Sequence, residues 1–87
     1  MKLNKMEQTV KELEQIGDRL GVKITYEALG GELGAGGLCK VKGQWRVIID
    51  KRTIPSERAT ILAQALCQFP LDDIEVSPEA RVLLGKS

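Results

Sequence analysis

Leu38-Cys39-Lys40-Val41-Lys42, Gly43-Gln44-Trp45, Arg46-Val47-Ile48-Ile49-Asp50-Lys51 and, after a short break, Pro55-Ser56-Glu57-Arg58-Ala59 form the stretch whose reading decides the fold. Two runs rich in β-branched and apolar residues flank a glycine, which predicts a β-hairpin turning around Gly43-Gln44-Trp45. Pairing Val41 with Val47 and Cys39 with Ile49 puts four apolar side chains on one face and Lys40, Lys42 and Arg46 on the other. In this register Cys39 is a buried small hydrophobe. Pro55 suits the first turn of a helix, and Glu57 behind it complements the helix dipole. The helix is predicted to run to Gln68 or Phe69, where Pro70 stops it. Ala59, Leu62, Ala63, Leu66 and Phe69 form its buried stripe.

Working outward, Leu3, Met6, Val10, Leu13, Ile16 and Leu20 recur in steps of three and four, the stripe of an amphipathic helix closed by Gly21. Val22, Ile24, Tyr26 and Ala28 then alternate with Lys23, Thr25 and Glu27, as in a strand with one solvated face. Residues 30–37 hold five of the nine glycines and read as a loop between strands. They do not read as a phosphate cradle, because no Gly-Lys-Ser/Thr follows and the next residues are strand-like. Ser77-Pro78-Glu79 opens a last short helix over 78–84. The expectation is a single α+β domain over residues 1–87, ordered αβββαα, with a mostly antiparallel three-stranded sheet.

Composition narrows the function. The 87 residues are 43% apolar and 29% charged, which suits a globular domain with a thin core of the kind that often oligomerises. Thirteen basic residues against twelve acidic ones leave no global field to attract nucleic acid. The segment Met1–Met6 lacks the apolar core of a signal peptide, and no aliphatic run, Val47-Ile48-Ile49 included, exceeds three residues. The expectation is a cytoplasmic protein, off the membrane, with Cys39 and Cys67 reduced. There is no histidine. That excludes His-dependent acid–base and nucleophilic catalysis and most catalytic zinc sites. A non-enzyme without metal or other cofactor is expected.

Trp45–Asp50 followed by Pro55–Phe69 resembles the zincin-like metallopeptidases of the IrrE/ImmA type. In that family a strand and a turn lead into a helix carrying an Ala-His-Glu-Leu-Gly-His-Phe-like run. Here the run is Ala63-Gln64-Ala65-Leu66-Cys67-Gln68-Phe69, and the approach Arg58-Ala59-Thr60-Ile61-Leu62 is also similar. The resemblance implies a scaffold that has lost its site: Gln64 and Gln68 stand at the ligand positions and Ala65 at that of the general base, where zinc chemistry needs histidines and a glutamate. Gln64, Gln68, Glu57 and Ile61 share the helix face opposite the buried stripe and are the candidate contacts for a protein partner or a second copy of the chain. Lys40, Lys42 and Arg46, with Trp45 to stack on a base, are the alternative, a nucleic-acid face.

Overall fold

The computed structural model of the chain describes residues 4–29, 34 and 36–85. The N-terminal stripe forms helix α1, Lys5–Arg19, opened by a reciprocal cap. The Asn4 side chain accepts from the Glu7 amide at 2.7 Å, and the Glu7 carboxylate accepts from the Asn4 amide at 3.4 Å. Val10, Leu13 and Ile16 are buried as the periodicity requires; Leu3 lies outside the described residues. Gly17 lets α1 approach the sheet closely: a Cβ there would sit 2.7 Å from Cδ1 of Ile24.

Three strands follow, β1 (Lys23–Glu27), β2 (Gly36–Val41) and β3 (Gln44–Asp50), in the order β1-β3-β2. The architecture is the αβββαα of an α+β fold, but the sheet is mixed. β1 pairs with β3 in parallel, Ile24 beside Val47 and Tyr26 beside Ile49, while β2 and β3 are antiparallel. The reason lies in β3. Val47 and Ile49 are fully buried and Ile48 on the other face is half-buried, so this strand takes the centre, flanked on both sides.

The hairpin register also departs from the expected one. The turn is the two residues Lys42-Gly43, with φ of 51° and 80°, the left-handed pair of a type I′ turn. Strand β3 therefore starts at Gln44, and Leu38 faces Val47, Cys39 faces Arg46 and Lys40 faces Trp45. Each residue of β2 is moved to the opposite face. Leu38 joins the core, and Cys39 is a half-buried thiol on the face away from it rather than a core residue. Gly36, at φ 138°, is pressed against β3: a Cβ would collide with the Ile48 carbonyl oxygen and come within 2.9 Å of Cα of Ile49. Of the glycine-rich segment, 30–33 and 35 lie outside the described residues.

Helix α2 spans Pro55–Leu66 and α3 Pro78–Leu84. α2 stops short of Gln68, with Cys67 as its C-cap; Phe69 lies beyond the helix, half-buried, and meets the Trp45 ring edge-on at 5.7 Å. α1 packs on β1, α2 on β2 and β3, and α3 on the two other helices. Leu13, Val47, Ile49, Leu62 and Leu66 are the largest fully buried side chains. Each contributes about 1.5–3 kcal/mol. A polar clamp ties α3 to α1. The Glu12 carboxylate accepts from the Ser77 amide at 2.7 Å and the Ser77 hydroxyl at 2.5 Å, while Ser77 Oγ caps the Ala80 amide.

Candidate functional site

The outward arc of α2 is the candidate site. Alanines and leucines fill its inner side, which leaves Ser56, Glu57, Thr60 and Gln64 exposed; Ile61 is half-buried and packs partly against the core, and Gln68 is exposed beyond the helix end. Gln64 stands on the last turn of α2, and Ile61 lies between the two glutamines and the helix start. Ile54, which precedes the helix, is 58% exposed, a large apolar side chain in line with Ile61. An open groove of about 340 Å³ runs along Ser56, Glu57, Thr60 and Ile61. Of the four sequence candidates, Glu57 and Gln64 are exposed on α2, Ile61 packs partly against the core because it borders the buried stripe, and Gln68 falls beyond the C-cap; Ile54, Ser56 and Thr60 are further exposed residues of the same segment. Ile54 was missed because its position before Pro55 marks it as a turn residue.

The four do not stand equally ready for a partner. The Glu57 carboxylate accepts from the Ile54 amide at 3.1 Å and so helps to cap the helix. Gln68 Nε2 donates to the Gln64 carbonyl at 3.3 Å. The Gln64 side chain is exposed, and Ile61 divides its side chain between the groove and the core.

The basic hairpin residues are dispersed. Lys40 and Trp45 lie directly opposite on the core-side face, with the Lys40 ammonium 5.2 Å from the Trp45 ring centre, a cation–π pair. Arg46 is on the other face, opposite Cys39, and Lys42 is in the turn. The expected single face of Lys40, Lys42 and Arg46 is therefore split by the register. Trp45, packed against Phe69, is 37% exposed.

A second cleft, of about 180 Å³, lies between α1, β1 and the start of α2, lined by Glu7, Lys11, Glu14, Tyr26, Pro55 and Arg58 among others. The Tyr26 hydroxyl donates to the Glu14 carboxylate, and the Arg58 guanidinium lies 5.0 Å from the Tyr26 ring centre. Burial, reinforced by Glu14, pushes the Tyr26 phenol well above its usual value. Arg58 also donates to Thr53 Oγ1 at 3.1 Å and the Lys51 carbonyl at 2.9 Å. Every polar group in this trio has a partner within the fold, so it braces β1 against α1 and α2. No sequence spacing connects these three residues.

The zinc chemistry that the resemblance would bring does not fit the side chains. Gln64, Ala65 and Gln68 offer neither imidazole ligands nor a general base, and among the described residues no group of three His, Cys, Asp or Glu side chains could hold a metal ion. Among the described residues, no helix is long and apolar enough to cross a membrane. Compared with known proteins, the chain matches no family model, and neither a curated protein nor a solved structure shows detectable similarity to it.

Proposed function

We propose that the protein is a non-catalytic interaction module, with α2 as the surface that receives a protein partner. The observation that carries this reading is the groove along the outer side of α2, with Ile54 at 58% exposure before it, half-buried Ile61 at its floor, and exposed Gln64 and Gln68 near and beyond the helix end. An apolar groove beside an exposed amide suits a partner backbone, which supplies both donors and acceptors for a Gln side chain. The zincin-like scaffold is proposed on the same footing, on the similarity of the 63–69 run to that family's motif, with Gln68 lying beyond the helix end in this chain.

The test is affinity capture of tagged protein from a lysate of its own source, with and without nuclease, beside an Ile61→Lys variant. A stoichiometric protein that survives nuclease and is lost with Ile61→Lys supports the reading. Capture that Ile61→Lys leaves intact removes α2 as the surface. Capture that nuclease abolishes transfers the function to nucleic acid and to Lys40, Lys42, Trp45 and Arg46.

A further inference from the structure

Among the described residues, strand β1 is an edge of the sheet, with β3 as its one neighbour. Its hydrogen-bonding phase is fixed by the Lys51 amide, which donates to the Glu27 carbonyl at 2.9 Å, just beyond the Glu27–Asp50 pair. In a parallel ladder alternate residues direct both backbone groups to the same neighbour. Lys23, Thr25 and Glu27 thus serve β3, and the amides and carbonyls of Ile24 and Tyr26 point to the open edge.

The sequence of this strand is Lys23-Ile24-Thr25-Tyr26-Glu27: basic, apolar, polar, apolar, acidic. About its centre the pattern inverts into its own complement. Edge strands are normally guarded by proline, bulges, short length or charged side chains. β1 has no proline, and its two charges stand at its ends with opposite signs, so they repel an arbitrary strand less than they match a complementary one.

We propose that β1 pairs with β1 of a second copy, antiparallel about a two-fold axis through Thr25, to give a continuous six-stranded sheet. Antiparallel pairing through the outward groups of Ile24 and Tyr26 makes Ile24 and the partner's Tyr26 a hydrogen-bonded pair, twice over. Thr25 then faces the partner's Thr25, and Lys23 faces the partner's Glu27, also twice, in the non-hydrogen-bonded pairs where side chains approach most closely. Of the registers that keep these outward groups paired, a slip of two residues in either direction breaks both ion pairs. Charge therefore selects the centred one. Thr25 Oγ1, 3.3 Å from Glu27 Oε2, already orients that carboxylate on the same face. The other edge, β2, begins Gly36-Gly37 and lacks such complementarity. This contact is separate from α2 and does not depend on what α2 binds.

The experiment is sedimentation velocity of the full chain over a wide concentration range, with circular dichroism to verify that each variant folds. Wild type is expected to dimerise, more weakly at high salt. Lys23→Glu and Glu27→Lys each turn both attractive pairs into like-charge pairs and weaken the dimer by about tenfold or more. The double variant K23E/E27K regains wild-type affinity, and an equimolar mixture of the two single variants forms heterodimers. Wild type that stays monomeric up to millimolar concentration overturns the proposal. So does a dimer that the single reversals leave unchanged, or reversals that the mixture fails to rescue. None of these results alters capture through Ile61, so the two readings fail separately.

Discussion

Removing the Glu12 carboxylate is expected to loosen α3 without touching the apolar core. In the native chain this carboxylate accepts two hydrogen bonds from a residue 65 positions away, the Ser77 amide at 2.7 Å and its hydroxyl at 2.5 Å. Hydrogen bonds to a charged group contribute about 1.5–3 kcal/mol each when isolated. These two share one acceptor group in a half-buried site, where water replaces part of what is lost. Glu12→Ala should therefore cost about 2 kcal/mol. In a domain of this size that is a fall in Tm of roughly 8–16 °C. Glu12→Gln keeps one acceptor oxygen and should fall between. Ser77→Ala removes the hydroxyl bond and also the cap on Ala80, at a cost of about 1–2 kcal/mol. A double-mutant cycle by urea denaturation should give a coupling of about 1 kcal/mol between the two side chains. Glu12→Ala within about 0.5 kcal/mol of wild type, or strictly additive effects, would refute the clamp as a stabilising contact.

Other consequences are as sharp. Tyr26 is the sole tyrosine, so its ionisation can be read directly by tyrosinate absorbance. Its phenol is raised, so its stabilisation is complete below the ordinary value of about 10 and is lost as pH rises through the higher folded value. Folded protein should show no tyrosinate near pH 10, while protein in urea titrates there; the Glu14→Ala variant should bring the folded titration down. Gly36→Ala should destabilise by at least about 2 kcal/mol, whereas Gly37→Ala, which meets nothing within 4 Å, should be neutral or stabilising by ~0.5 kcal/mol. Equal effects in denaturation curves would contradict the packing at Gly36. Side-chain and backbone bonds from Arg52 hold the Asp50 carboxyl below its usual range. Its contribution is complete above about pH 3.9 and is lost as pH falls through the lowered value. Asp50→Asn should flatten the acid limb of stability against pH, and an unchanged limb would remove Asp50 from the account.

The helices were legible because their signals are local. Stripe spacing, Pro55, Pro78 and the serine cap place α1, α2 and α3 to within a few residues, and the outward arc of α2 follows from the same wheel. The sheet was less legible for two separate reasons. Hairpin register depends on which residues turn, and Lys42 takes a positive φ that a lysine side chain does not advertise; that choice moved Cys39 out of the core and split the basic residues. The parallel pairing of β1 with β3 depends on what lies beside the most apolar strand, a competition no local window expresses. Glu12 with Ser77, and Tyr26 with Glu14 and Arg58, are contacts of tertiary placement. They became visible only once the helices were laid on the sheet.

The central position of β3 also sets an order of assembly. Its pairing with β2 closes through a two-residue turn, a local event. Its pairing with β1 must bring Lys23 to Arg46 across the whole intervening segment. The hairpin is therefore expected in the folding nucleus, with β1 arriving late. Disturbing the turn by Gly43→Ala should slow folding, whereas trimming Ile24 to Ala should mainly hasten unfolding, and chevron plots separate the two. The last strand to join is then also the first to leave, so the lifetime of the native state is set at that edge.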